Sequence, residues 1–414
     1  MKFIVQKFGG TSLVNDETRR MAAKKVIEAK NKGYLPVVVV SAIGRMGDPY
    51  ATDTLLKLAC DGNWELSPRE SDLLMSCGEV ISGVVMAATI QKEGHPAVFL
   101  TGLQAGIITD NNHNDARILK VNPENIIKHA RDGKIIVVAG FQGATENGEI
   151  TTLGRGGSDT TAAALGVALD AEWVDIYTDV EGIMTADPRI VSDARLLEMV
   201  TYNEICQLAH EGAKVIHPRA VEIAMQKDIP LRIKSTFSSA PGTLVTSRGE
   251  AYKGSIDITR DRTITGITYI SDITQFRIPM DGCGDTAGLQ RRIFEALALA
   301  GISIDFINVH PDVVIFTVKN SVAAKAAQIL ENMGLRPSIL PDCAKVAAVG
   351  AGMTGVPGVM ARIVGALADE KVQILQSSDS YTTIWVLVKK KDMEKSIRAL
   401  HRQFGPGEKD IERR

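Results

Sequence analysis

The chain has 414 residues, 45 % hydrophobic and 23 % charged, with 47 Lys and Arg against 49 Asp and Glu and a formal net charge of -2. That length suggests two or three domains and a sizeable buried core. The composition excludes disordered and fibrous classes, and the balanced charge argues against nucleic acid as a partner. The cysteines, Cys60, Cys77, Cys206, Cys283 and Cys343, are odd in number and show no metal-type spacing, so free thiols in a reducing compartment are expected. No apolar run approaches the ~18 residues that span a bilayer, and the N-terminal apolar stretch breaks too early for a signal peptide. A cytoplasmic protein with no membrane partner is the expectation.

In chain order, short apolar runs mark strands at Phe3–Lys7, Pro36–Ala42, Ala97–Thr101, Ile135–Phe141, Trp173–Thr178 and Pro230–Lys234. Most lack period-2 alternation, the pattern of parallel strands covered on both faces. Helical segments lie between them. Asp16–Lys32 runs to Gly33, a C-cap residue, and Ser67-Pro68-Arg69-Glu70 places a cap, a first-turn proline and an acidic residue in helix-opening order. The fold class predicted for residues 1–245 is therefore α/β, a doubly wound, mostly parallel sheet between helix layers. Ligands in such folds sit beyond the carboxyl ends of the strands.

A polar linker over 246–262 leads to a repeat with an offset of 70 residues. It pairs the segment 288–297 with 358–367, Ile302 with Val372, and 312–319 with 382–389. Each copy reads strand, Gly-led helix, strand, strand, helix, a small α+β unit with a weak core of its own. Boundaries at 263–340 and 341–408, with the copies sequential or interleaved, and a charged tail at 409–414 are expected.

Three places can carry chemistry. Lys7-Phe8-Gly9-Gly10-Thr11-Ser12 follows the first strand, where consecutive glycines and a lysine suit an anion. The same residues also suit a strand-end turn with a solvated lysine. Gly154-Arg155-Gly156-Gly157-Ser158-Asp159 enters a helix of small residues; Ser158 or Asp159 is expected to cap it, leaving N–H groups for an anion, and Arg155 can grip a carboxylate. Glu79 is the single charged residue between Leu73 and Gln91. Leu74, Cys77, Ile81, Val84, Val85 and Ala88 form one stripe of that helix, and Glu79 shares the opposite, small-residue side with Ser76, Gly83 and Met86. Burial there calls for a partner, Arg155 or a ligand ammonium group, although a structural ion pair is the alternative. His217, before Pro218, reads as a helix-entry residue, and no catalytic triad or metal cluster is legible.

Taken together with Tyr177-Thr178-Asp179-Val180-Glu181-Gly182 and Gly212-Ala213-Lys214-Val215-Ile216-His217-Pro218, these motifs resemble the signatures of aspartokinases. The duplicated units are similar to the paired regulatory ACT domains of the same family, so the resemblance spans nearly the whole chain. It implies an amino-acid kinase fold and ATP-dependent phosphorylation of the L-aspartate side chain, the first step of lysine/diaminopimelate, threonine and methionine biosynthesis, with ATP and Mg²⁺ as cofactors. It implies Lys7 as the lysine that stabilises the moving phosphoryl group and Asp159 as the residue organising the centre. Phe8, Gly9, Gly10, Ser41, Thr178, Asp179, Met184, Asp187, Pro188, Arg189 and Lys214 fall on the ATP side, with Met184 standing where many relatives carry tyrosine. Thr52, Glu79, Arg155 and Ser158 fall on the aspartate side, and no protein metal ligand is assigned. Asp305 aligns with an effector-binding aspartate. The resemblance is nearest to diaminopimelate-sensitive enzymes of Gram-positive bacteria. It implies a homodimer through the ACT units and feedback by meso-diaminopimelate, lysine or threonine. An acetylglutamate- or glutamate-type kinase and a non-catalytic amino-acid sensor are the rivals. Glu79 speaks against an acetylated substrate, and retention of Lys7 and Asp159 against a sensor.

Overall fold

The computed structural model describes residues 1–59, 66–213, 215–247, 264–280, 285–350, 353 and 356–406. The chain divides into two compact units. The first comprises Met1–Met184, Leu196–His210 and Lys214–Asp257; the second comprises Thr185–Arg195, Glu211–Ala213 and Ile258–Arg414.

The first unit opens with β1 (Phe3–Phe8), α1 (Asp16–Asn31), β2 (Leu35–Val40), α2 (Thr52–Ala59), α3 (Pro68–Lys92) and β3 (Ala97–Leu100). It continues through β4 (Ile107–Thr109), β5 (Ile118–Val121), α4 (Glu124–Arg131), β6 (Ile135–Ala139), β7 (Gln142–Ala144), β8 (Ile150–Thr152) and α5 (Gly157–Ala168). Then come β9 (Val174–Thr178), β10 (Met199–Thr201), α6 (Tyr202–His210), α7 (Pro218–Met225), β11 (Leu231–Ser235) and β12 (Thr243–Thr246). Eight strands form one sheet in the order β10-β12-β11-β9-β1-β2-β6-β3, parallel except where β12 runs against β11. The central strands are buried valine and isoleucine runs, as the lack of alternation predicts. Val38, Val40, Ile135 and Val137 pack with Val26 of α1 and Met86 and Ile90 of α3. By alternation Val37, Val39, Ile136 and Val138 face the other way, and α5, almost wholly buried, packs on β1, β2 and β9. Because β1 pairs with β2 on one side and β9 on the other, the strand order reverses there. The carboxyl end of β1 is thus where such folds bind ligands.

Two features differ from expectation. A second sheet, β5-β4-β7-β8, is built from strands of three or four residues, too short for any periodicity to register. Helix α3, opened by Ser67 as expected, is long and apolar enough to cross a membrane by length and composition, with 56 % of its apolar window buried. Its Ser, Thr and Glu residues break the apolar run, yet the mean hydropathy of the helix stays as high as that of a spanning one. It packs against α1, β3 and β6 as a core helix.

The second unit contains β13 (Gly266–Pro279), α8 (Thr286–Leu299), β14 (Asp305–Val309), β15 (Val313–Lys319) and α9 (Asn320–Asn332). These are followed by β16 (Ser338–Val349), α10 (Val359–Asp369), β17 (Gln376–Asp379), β18 (Thr383–Lys389) and α11 (Met393–Phe404). Equivalent positions at the 70-residue offset are buried in both copies: Ile293 and Ile363, Leu297 and Leu367, Phe316 and Val386. Both copies contribute to one six-stranded sheet, β14-β15-β13-β16-β18-β17, with the long strands β13 and β16 antiparallel at its centre. Ile267, early in β13, packs in the core of the second copy. Phe276 and Ile278, late in the same strand, pack in the core of the first. The register shifts between Ile270 and Ile273, where Asp272 has φ of 62°. The boundary expected at 340/341 falls inside β16, because that strand pairs with β13 from Ser338 to Val349 and with β18 from Cys343 to Val349.

Since the copies share strands, Ile293→Ala and Ile363→Ala should each cost about 2–5 kcal/mol of stability, and each variant should melt the whole second unit in one step. Urea unfolding followed with a probe in each copy checks this. Separate midpoints for the two probes would show independent repeats.

Candidate active site

Lys7, one residue before the end of β1, pairs its Nζ with Asp159 Oδ1 at 2.7 Å, with side chains only 13 % and 12 % exposed. After Phe8 the chain turns through Gly9 and Gly10 into a short 3₁₀ turn, Gly10–Leu13. A Cβ on residue 10 would lie 2.5 Å from the Gly44 carbonyl oxygen and 2.6 Å from that of Ala42. Only glycine lets this loop lie against the segment after β2, where Gly44 N–H donates to Gly10 O at 3.1 Å.

A cavity of about 660 Å³ opens at this point. Of the residues singled out from sequence, Lys7, Gly10, Ser41, Thr52, Glu79, Arg155, Ser158 and Asp159 line it. Gly156, in the left-handed region at φ of 70°, precedes α5, and no side chain caps the helix. The expected capping by Ser158 or Asp159 is therefore not observed. Both lie inside the first turn, and Asp159 is drawn to Lys7 instead. An uncapped N-terminus leaves backbone N–H groups and the positive end of the helix dipole for an anion. The Arg155 side chain is exposed at the rim and forms no ion pair with a described residue.

Glu79 is 2 % exposed. Its Oε1 accepts the Ala42 N–H at 2.9 Å, while Oε2 has no partner among the described residues. Burial pushes its carboxyl group up to about 8, only partly offset by that backbone hydrogen bond. The ion pair with Arg155 that the sequence left open is not formed. A buried carboxyl group with one bare oxygen on a cavity wall is a receptor for a cation or a hydrogen-bond donor.

The remaining expected residues scatter. The Phe8 ring is fully buried and stacks on Tyr177, with centroids 4.7 Å apart, so its side chain belongs to the core and not to a ligand. Gly9 donates its N–H to Tyr177 O at 3.4 Å. Thr178 ends β9 and donates to Asp179, whose carboxylate pairs with Arg45 at 2.6 Å. Met184 bridges to Leu196. Asp187, Pro188 and Arg189 belong to the second unit. There Arg189 chelates the Asp187 carboxylate and holds it below the usual range, and the Tyr269 hydroxyl donates to it at 3.3 Å. Lys214 lies outside the described residues. His217 caps α7, as its position before Pro218 suggests.

Arg45, Met75, Asn114 and Phe141 also line the cavity and were not singled out from sequence. Asn114 and Phe141 adopt φ of 68° and 66°, conformations that a sequence does not display. Phe141 does follow a strand end, and Asp110-Asn111-Asn112-His113-Asn114-Asp115 is a turn-forming run, so position and composition were the available signals.

Residues 2–235 match the amino acid kinase family and residues 338–402 the ACT domain. The chain is 53 % identical to Aspartokinase 1 of Bacillus subtilis over 98 % of its length and 99 % of that protein's. The chain belongs to the amino acid kinase family, among its aspartokinases. Two crystal structures of Escherichia coli aspartokinase III share its fold at 24 % identity. One, with aspartate and ADP in the R-state, has a TM-score of 0.79 and covers 98 % of this chain and 100 % of that one. The other, with lysine and aspartate in the T-state, has a TM-score of 0.77 and covers 97 % and 99 %. As an aspartokinase the protein transfers the terminal phosphoryl group of ATP to the side-chain carboxylate of L-aspartate, giving 4-phospho-L-aspartate.

Two outcomes are expected. Lys7→Ala should lower kcat roughly a hundredfold or more while the KM for aspartate moves by less than about threefold, if the cation opposes charge that develops in the transition state. Steady-state kinetics in both substrates test this. Glu79 must be ionised to meet an ammonium group, and its raised pKa means that below about 8 a proton has to leave first. The KM for aspartate should thus rise as pH falls from 8 toward 6, by up to about tenfold per unit, and Glu79→Gln should weaken aspartate binding and flatten that dependence.

Proposed function

We propose that the cavity is the aspartate and phosphoryl-transfer site, with Glu79 taking the substrate ammonium group and Arg155 its α-carboxylate. The observation that carries this reading is the bare Oε2 of Glu79, buried on the same cavity wall system as the uncapped α5 and the Lys7–Asp159 pair. Thr52 and Ser158 supply hydroxyl groups beside the substrate. The aspartate side-chain carboxylate, with a pKa of ~4, is already a nucleophile at neutral pH and needs no general base. It attacks the terminal phosphorus; a new O–P bond forms, the bond to the bridging oxygen breaks, and that electron pair leaves on ADP. Charge spreads over the phosphoryl oxygens in such a transition state. Lys7 and the N–H groups of the Gly9-Gly10 turn and α5 oppose it, while Asp159 fixes the direction of the lysine. Ser41, Thr178, Asp179 and Met184 of the first unit supply the ATP side, with Gly9 contributing main chain.

Mg²⁺ suits this donor set. The described residues bring no three acidic, His or Cys side chains together as a cage, and the carboxyl groups on the cavity wall are Asp53, Glu79 and Asp159. Magnesium in kinases is held largely by phosphate oxygens and water with one or two carboxylates; Asp159, beside Lys7, would be that carboxylate. Its chemistry there is charge neutralisation of the phosphates.

Regulation fits the second unit. Asp305 is 63 % exposed at the start of β14, and its carboxylate accepts from the Lys345 ammonium group at 2.6 Å. Lys345 also pairs with buried Glu211 at 3.0 Å; burial works against its charge, but the two carboxylates hold it above its ordinary value. An amino-acid effector would present a second ammonium group to Asp305, with meso-diaminopimelate first, then lysine, then threonine. A homodimer through these units is favoured by β14, an edge strand with Ile307 and Val309 46 % and 48 % exposed, an apolar edge that a second copy would cover. A cytoplasmic site in lysine or diaminopimelate synthesis agrees with the free thiols Cys77, Cys206 and Cys343.

ATP-dependent hydroxamate formation tests the chemistry: L-aspartate should be turned over, with N-acetylglutamate and glutamate near background. Activity with N-acetylglutamate and none with aspartate would overturn the reading. For regulation, Asp305→Ala should raise the effector concentration for half-inhibition at least about tenfold, with solution mass measured alongside. A monomer indifferent to all three effectors would remove the regulatory part alone.

A further inference from the structure

One carboxylate in the first unit is withdrawn from water with no role in the reading above. Asp72, in the second turn of α3, is 0 % exposed. Its two oxygens accept the Asn114 N–H at 3.0 and 3.1 Å, the Thr152 hydroxyl, and a contact from His113 Nδ1 at 2.7 Å. A carboxylate can be buried at modest cost only when its lone pairs are used in this way. The donors come from two different segments, the turn at 113–114 and the end of β8. Asn114 lines the cavity, and Thr152 leads into Leu153-Gly154-Arg155.

The two segments also touch each other. A Cβ on Gly154 would lie 2.9 Å from Asp115 Oδ1 and 3.1 Å from the Asn114 carbonyl oxygen. Arg219 ties the same pair together, donating to Leu153 O at 3.1 Å and to Ala116 O at 2.8 Å. Arg155 thus sits at the end of a segment anchored through Asp72, yet makes no ion pair of its own with a described residue. Glu79 lies seven residues after Asp72, two turns along the same buried face of one helix. A single rigid element therefore carries Glu79 and anchors the loop that bears Arg155.

We propose that Asp72 is a positioning residue for aspartate, setting the span between the Glu79 carboxylate and the Arg155 guanidinium. The inference rests on the reading that these two groups hold the substrate ammonium and α-carboxylate. Asp72 does not line the cavity itself. It acts through the 113–115 turn and Thr152, so its loss should blur the distance at which the site grips an α-amino acid while sparing the ATP side.

The test is Asp72→Asn, which keeps the shape but turns one acceptor oxygen into a donor amide facing other donors. The expected result is a KM for aspartate raised at least about tenfold, with the KM for ATP within about threefold and the variant still folded by circular dichroism. Thr152→Val and His113→Gln each remove one donor and leave the carboxylate in place. They should each raise the aspartate KM about threefold or more, and they decide the matter if Asp72→Asn does not fold. An aspartate KM within about twofold of wild type in the folded variants would overturn the proposal. So would equal increases for both substrates, the mark of a general structural role. Glu79→Gln and Arg155→Ala separate the two levels. If neither weakens aspartate, the underlying reading fails and takes the positioning role with it; if both do while the Asp72 set does not, the positioning role alone fails.

Discussion

Ionisable groups are withdrawn from water at the carboxyl end of the large sheet, and the site is organised around what satisfies them. Lys7 and Asp159 satisfy each other. Glu79 is satisfied on one oxygen only, and the cost appears as a carboxyl group that holds its proton near neutrality. An ammonium group brought to the bare Oε2 would remove that cost and so turn a destabilising feature of the site into binding energy for one class of ligand. The sheet makes this possible. Buried valine strands bring β1 to the point where the strand order reverses, and the glycine at position 10 lets the following loop close onto the segment after β2.

The second unit solves a different problem. The strands β13 and β16 extend through both repeats, and the two hydrophobic clusters hang from the same pair of strands. A perturbation at one copy has a direct covalent and hydrogen-bonded route to the other. Lys345, on β16 of the second copy, meets Asp305 at the first strand after α8 in the first copy. Such a shared sheet is suited to reporting a small ligand, because no part of it can shift alone.

Much of the kinase half was legible because parallel strands and capped helices leave strong local marks. Ser67 and Pro68 mark the start of α3, and the isolation of Glu79 in an uncharged helix points to its burial. Yet the apolar stripe of α3 that includes Cys77, Val84 and Ala88 turns out to be the outer one, while the smaller side with Ser76, Glu79, Gly83 and Met86 is buried. Close packing selected small side chains, and hydrophobicity alone points the wrong way. The 70-residue offset was visible because equivalent core positions keep their character; the sharing of strands between copies was not, because pairing between β13 and β16 leaves no local trace. Asp72 escaped notice for a similar reason. Its donors, His113, Asn114 and Thr152, are 41 to 80 residues away in sequence.

The claim on which the account turns is that aspartate binds by drawing Glu79 into its charged form. Titration calorimetry of L-aspartate into the protein at pH 7, in buffers of different ionisation enthalpy, counts the protons exchanged on binding. With a carboxyl group near 8 in the empty site, most of a proton per site should be released, and the release should vanish in Glu79→Gln. Aspartate binding with no proton release, or a release that persists in Glu79→Gln, would contradict it.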